Sequence, residues 1–345
     1  MTADRAAFLR RAGIGAAGVS LGSLLDPAAA FAGDGGGDYP AHPRWKFVFV
    51  SHDTLDPLLV ATQFGAEDAA ALVRCTTQWT GSPHGDVKET VGALRSAISH
   101  KADGIAVSIL DEARFAPEAA RAARMGIPLV AFNVGASAGS RRYAYVGEDP
   151  RVSGVNVGAE IARLSPTGTV TLFATDQLNT WAERRLKGVF AGLAAAPKAP
   201  AATVVRVTGD VRKQQGAVEA AYKRQRGIRG LFAVDAVGTL ACARAISRLG
   251  LALRGVKGGG YDLLPDDLSY VSDGTLDFVV DQQPYVQGFA PVMQLFLAKI
   301  SQGTVVPWDT ETSVLLRRGD VKTFLATKSR FEGSSSLQAY PPRRG

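Results

Sequence analysis

The segment Asp277–Phe289, DFVVDQQPYVQGF, decides how the chain is read. Phe278, Val279 and Val280 form a short apolar run of the kind that suits a strand buried on both faces. The run gives way to two amides, and Pro284 then supplies the fixed φ favoured at the first position of a helix. Polar side chains at the carboxyl end of a strand lie where open α/β sheets bind ligands. The preceding strand finishes the same way, in Gly260-Tyr261-Asp262. A chain that repeatedly sets a polar residue at the tip of an apolar strand builds a cleft lined with hydrogen-bonding groups.

Upstream of this segment, strand and helix patterns alternate. Apolar runs predict strands at Phe47–Val50, Cys75–Trp79, Ile105–Ile109, Pro128–Phe132 and Tyr143–Val146. Between them, helices are expected at Leu58–Val73, Asp86–His100 and Pro117–Met125, with Asp86 as an N-cap and Gly126 as a C-cap. The cycle restarts with strands at Val170–Ala174, Val204–Val207, Leu231–Val234, Val256–Gly259 and Phe278–Val280. Helices near 180–194, 212–224, 237–249 and 263–272 separate them. A long helix over Pro284–Ile300, a short strand at Ser313–Leu316 and a small helix capped by Asp320 close the pattern. Two runs of β-α units with short connections predict an α/β fold of two doubly wound parallel-sheet lobes.

Composition agrees with a two-lobed globular chain. Of its 345 residues, 46% are hydrophobic and 21% charged, and that length exceeds what a single core usually serves. Arg5, Arg10 and Arg11 precede a small apolar run, Ala12–Leu25, and Ala30-Phe31-Ala32 supplies small residues spaced for a signal peptidase. Residues 1–32 therefore read as a cleaved export signal with a twin-arginine-like basic half, and residues 33–44 as a linker. Loss of the signal lowers the formal net charge from +7 to +6. No lysine-arginine stripe stands out, so nucleic acid is not an expected partner. The four histidines form no i, i+4 pair, and neither Cys75 nor Cys242 has a metal-ligand neighbour. No metal or cofactor is expected. No G-x-G-x-x-G opens a helix after Gly258–Gly260, and there is no phosphate loop, so the residues do not point to an enzyme.

Four segments carry a likeness to a known family: Phe49–Ala66 (FVSHDTLDPLLVATQFGA), Ala102–Asp111 with Gly126–Asn133 (GIPLVAFN), Gly259–Leu264 (GGYDLL), and Gly274–Gly288 (GTLDFVVDQQPYVQG). In this order the chain resembles the type I periplasmic solute-binding proteins, the ribose-binding group that feeds sugar ABC transporters, from Trp45 to Leu325. The resemblance implies a three-segment hinge, with crossings near Glu148-Asp149, Gln283 and Pro307. It places 45–148 plus 284–305 in an N-terminal lobe and 149–283 plus 306–330 in a C-terminal lobe; the polar, proline-rich end, 331–345, is expected to be a disordered tail. The implied function is capture of a monosaccharide or polyol by hinge closure and delivery to the membrane permease of an ABC transporter, by an exported, periplasmic monomer. A sugar-sensing binder for a chemoreceptor or sensor kinase is the first alternative, and an enzyme on the same doubly wound fold the second.

The same resemblance names candidate ligand residues. Asp262 corresponds to the carboxylate of the family's Gly-Phe-Asp turn, Gln282 to its crossing-strand glutamine, and Asp235 to a position that usually carries asparagine. Asn133 stands where many sugar binders have an Asp-Arg pair, and Arg185 precedes Gly188 as the family's ligand arginine precedes its glycine. Asn179 and Trp181 sit in the loop just before that helix, His52 lies in the first loop, and Asp111 ends a strand. For Asp262 and Asp235, capping the following helix is the competing role; the family counterpart of Asp111 often stands back from the ligand.

Overall fold

The computed structural model describes residues 40–56, 58–135, 144–175, 180–225, 227–263 and 267–327. The export-signal, linker and tail segments expected at 1–32, in most of 33–44 and at 331–345 lie outside them. In the first half the order is β1 (Lys46–Ser51), α1 (Leu58–Leu72), β2 (Thr76–Gly81), α2 (Val87–Ser99), β3 (Gly104–Val107), α3 (Glu112–Arg124), β4 (Leu129–Phe132) and β5 (Tyr145–Gly147). Then follow α4 (Pro150–Leu164), β6 (Thr169–Thr175), α5 (Thr180–Ala195), β7 (Ala201–Val207), α6 (Val211–Arg224), β8 (Ile228–Ala233) and α7 (Ala236–Arg248). The chain ends through β9 (Lys257–Tyr261), α8 (Asp267–Asp273), β10 (Phe278–Asp281), α9 (Pro284–Ile300), β11 (Thr310–Glu311), β12 (Val314–Arg317) and α10 (Arg318–Thr327).

These strands form two six-stranded sheets, in the orders β11-β5-β4-β3-β1-β2 and β12-β10-β9-β8-β6-β7. Every pairing is parallel except that of β10 with β12. Both sheets reverse direction of growth beside their first strand, β1 or β6, and this switch point is where doubly wound folds bind ligands. Alternation along the strands divides the core between two faces. Phe47 and Phe49 pack with Phe132, Ala66 and Leu295 on the α1/α9 side, whereas Val48 and Val50 pack with Ile105, Leu94 and Phe115 on the α2/α3 side. In the second sheet Leu172, Phe232 and Phe278 face α4 and α5, and Phe173, Leu231 and Val279 face α6 and α7. Cys75 and Cys242 are free and belong to different clusters.

Two helices differ from the expectation. Helix α3 begins five residues before Pro117, because Asp111 accepts a hydrogen bond from the Arg114 N–H and caps the first turn. Helix α4, capped by Asp149 with Pro150 behind it, has no counterpart in the sequence reading. Its Gly154 and Gly158 lie against Gly188 and Gly192 of α5, where an added Cβ would run into the backbone of the facing helix. The two helices therefore approach backbone to backbone.

The chain passes between the sheets at Glu148-Asp149, Gln282-Gln283 and Thr312-Ser313. Strand β11 pairs with β5 in the first sheet, so the third passage falls after Glu311 and not at Pro307. No described helix is long and apolar enough to cross a membrane.

Candidate functional site

The carboxyl ends of both sheets open onto one cavity of about 570 Å³, well inside the size range of small-molecule sites. Its lining includes His52, Asn133, Trp181, Arg185, Asp262 and Gln282 from among the candidates, and adds Asp56, Ile109, Tyr145, Glu148 and Arg184. Asp235 and Asp111 are not among the lining residues. Asn179 lies outside the described residues.

The wall supplied by the second half is organised around Arg185. This guanidinium stacks between two rings, 4.5 Å from the centroid of Trp181 and 3.9 Å from that of Tyr261. It donates through Nε to Glu148 Oε1 at 2.9 Å and through Nη2 to Glu148 Oε2, while Nη1 reaches the Val234 carbonyl at 2.8 Å. The side chains of this ion pair are only 4% and 3% exposed. Burial alone would lower the Arg185 pKa, but Glu148 and Asp262 more than offset it, and the group remains charged. Ser153 donates to Glu148 and lies 3.2 Å from the Tyr261 hydroxyl, so α4 also steadies the pair. The close packing of α4 on α5 is what brings these groups together.

Asp262 follows β9 with φ of 67°, a left-handed conformation uncommon for non-glycine residues but one that aspartate and asparagine tolerate best. Its Oδ1 accepts from Gln282 Nε2, so two of the candidates form one unit. Burial raises the Asp262 carboxyl to about 6; Arg185 and Gln282 pull against that rise, and Glu148 and Asp235 add to it. Asp235 sits behind this layer as the N-cap of α7, with Oδ1 2.7 Å from the Gly238 N–H. Asp111 likewise caps its helix and pairs with Arg114 at 3.4 Å. Asp111 lies four residues past β3 and Asp235 two past β8, each as the N-cap of the following helix, and the cap role accounts for those positions.

The opposite wall comes from the loop after β1 and the ends of β3 and β4. Asp56 caps the approach to α1 through the Leu58 N–H at 2.9 Å. Burial raises its carboxyl pKa, against the pull of that hydrogen bond and of His52. The same burial lowers the His52 pKa despite Asp56 and Asp53, so the imidazole is neutral at pH 7. Its Nδ1 is buried and finds no hydrogen-bond partner among the described residues, while the residue itself contributes to the cavity lining. Asn133, at φ of 57°, donates from Nδ2 to Gln287 Oε1 at 3.0 Å. Tyr145 also lines the cavity, its single hydroxyl proton shared between the carbonyls of Asn133 and Glu148 at 2.7 and 3.0 Å.

Carboxylates, amides and a guanidinium thus converge from two sheets, with an indole on one side: the equipment of a cleft that reads a polyhydroxylated molecule. The chain belongs to the periplasmic binding protein family, whose domain model matches residues 47–302. This is a family of binding proteins and not of enzymes. A xylose/arabinose-binding protein, XylF, of Sulfolobus acidocaldarius is 34% identical over 321 residues, covering 89% of this chain and 78% of that one. The arabinose-binding protein AraP of Geobacillus stearothermophilus superposes with a TM-score of 0.70 at 24% identity, over 82% of this chain and 99% of that one. A periplasmic ribose ABC transporter protein of Conexibacter woesei gives 0.74 at 18% identity, over 86% and 100%. These two solved structures show that the fold is that of the type I periplasmic binding proteins.

Proposed function

We propose that this protein captures a neutral monosaccharide, with an aldopentose such as xylose or arabinose as the first candidate, in the cleft between its two lobes. The observation that carries this reading is the convergence of the Asp262-Gln282 pair, the Arg185-Glu148 pair with Trp181, Asn133 and His52 on one cavity. The name of the XylF relative supports the pentose. Asp262 accepts from ligand hydroxyls, Gln282, Asn133 and His52 exchange hydrogen bonds with others, and Trp181 faces the apolar C–H side. One lobe comprises 45–148 plus 284–311 and the other 149–283 plus 314–327, and they close about the three crossings. Asp235 supports Arg185 from behind.

The protein works outside the cytoplasm as a monomer, after removal of residues 1–32, and hands its sugar to the permease of an ABC transporter. Several charge-assisted hydrogen bonds, less the cost of ordering, give a Kd on the order of micromolar, about −8 kcal/mol. Calorimetry of the mature protein against xylose, arabinose, ribose, hexoses and alditols tests the reading. Saturable heat from a pentose is expected, and silence across the panel would refute it. The mass of the mature N-terminus from an extracytoplasmic fraction tests export.

A further inference from the structure

Gln287 lies on α9 one turn beyond the second crossing, and it is fully buried. All the hydrogen-bonding groups of its side chain reach segments that belong to the hinge or the cleft. Nε2 donates to the Gln282 carbonyl at 2.8 Å and to Thr312 Oγ1 at 3.2 Å, while Oε1 accepts from Asn133 Nδ2 at 3.0 Å. The first partner is at the second crossing, the second partner is at the third crossing, and Asn133 lines the cavity. The Thr312 N–H in turn donates to the Gly147 carbonyl at 3.2 Å, which brings in the first crossing. Gln294, two turns further along α9, holds the same returning segment through Thr310 Oγ1 at 3.2 Å. Gln283, between Gln282 and the helix, adopts φ of 51°, a conformation that a non-glycine residue keeps only where its surroundings hold it.

We infer that Gln287 is a positioning residue that couples a hydrogen-bonding side chain of the cleft to the closure equilibrium of the hinge. The inference rests on the function proposed above. Gln287 moves with α9 and the first sheet, whereas the Gln282 carbonyl ends the strand segment of the second. Rotation of one half against the other changes the geometry of that bond and of the Thr312 bond. A buried amide left unpaired is costly, so the closure state that satisfies this side chain is favoured. A ligand that engages Asn133 acts on the same amide, and contact at the site thereby biases the hinge.

The test compares Gln287→Met, Thr312→Val and Thr312→Ser with the wild type by small-angle X-ray scattering without sugar and by calorimetry with a pentose. Gln287→Met keeps the side-chain volume and removes all three bonds. Thr312→Ser keeps the hydroxyl. Gln287→Met and Thr312→Val are expected to alter the scattering profile of the unliganded protein and to raise Kd, about tenfold for Gln287→Met, within the usual range of coupling between sites. Thr312→Ser should match the wild type in both. A packing defect alone would lower thermal stability and leave the unliganded profile unchanged, and that result would overturn the inference. Should Gln287→Met not fold, a Thr312→Val protein indistinguishable from Thr312→Ser would overturn it as well. A wild type that gives no heat with any sugar would refute the proposed function, and the scattering comparison would still decide the role of Gln287.

Discussion

Replacing Glu148 by glutamine isolates the energetics of the cleft wall. The carboxylate accepts two hydrogen bonds from Arg185 and one from Ser153, in a setting where both side chains of the ion pair are under 5% exposed. Glutamine conserves shape and one acceptor oxygen. It removes the charge and turns an N–H2 toward a guanidinium that has only donors. Breaking one side of a buried pair costs about 3–5 kcal/mol, and the retained acceptor and the nearby Asp262 carboxylate argue for the lower end. We therefore expect E148Q to lose about 3 kcal/mol of unfolding free energy at pH 7, read as a drop in urea midpoint at unchanged slope. Loss of the negative charge should also bring the Asp262 carboxyl below about 6, since Glu148 is one of the groups that raise it. A variant within about 1 kcal/mol of wild type, with an unmoved Asp262 titration, would refute the view of Arg185-Glu148 as a closed electrostatic unit.

Other outcomes follow from the same geometry. Asp262 has a folded pKa of about 6, above its unfolded value, so folding takes up protons between roughly pH 4 and 6 and stability falls as pH rises through that window. If sugar hydroxyls donate to the carboxylate, pentose affinity instead rises with pH through about 6 and levels off above it. Asp262→Asn should lose about 10- to 100-fold in affinity and the pH dependence with it, as measured by calorimetry at several pH values. Gly188→Ala would push a Cβ into the Arg151 carbonyl, forcing α4 and α5 apart; a loss of about 2 kcal/mol in denaturant unfolding and weaker sugar binding are expected. Both arginines of the lining are already matched, Arg185 by Glu148 and Arg184 by Asp149 at 3.5 Å, while Asp262 adds further negative charge above about pH 6. A uronate should then bind at least about tenfold more weakly than its neutral parent sugar, since one like charge about 6 Å away at an effective dielectric of about 40 costs roughly 1.4 kcal/mol; equal affinities by calorimetry would count against this.

The sheets were legible because their strands are buried on both faces: runs such as Phe47–Val50 leave little choice of structure. Helix α4 was harder to read, since Gly154 and Gly158 weaken its local signal and only the facing Gly188 and Gly192 explain them. Pro117 marks a helix start in the sequence, but Asp111 caps the turn before it, and the helix continues past the proline. Strand β11 is two residues long, too short for any pattern, and it moves the last crossing. In the site, Asp262 and Asp235 look alike in sequence, each ending an apolar run. Backbone geometry separates them: the left-handed turn at Asp262 sets it beside Gln282 at the cavity, while the extended backbone at Asp235 aims its carboxylate at the Gly238 N–H. Glu148 gave no signal, because its partner arrives 37 residues later on α5.

The position of Trp181 gives the protein an optical handle of its own. The chain has four tryptophans; Trp45 and Trp79 pack against the first-sheet core and Trp308 is half exposed. Trp181 alone among them borders the cavity, with the Arg185 guanidinium against its ring. A cation fixed against an indole shifts its emission through its field, so a sugar that changes the solvation there or tightens that stack will change the fluorescence of one known residue. Ligand arrival can thus be followed in the unlabelled protein, and a Trp181→Phe variant removes the signal and leaves the other three as a constant background.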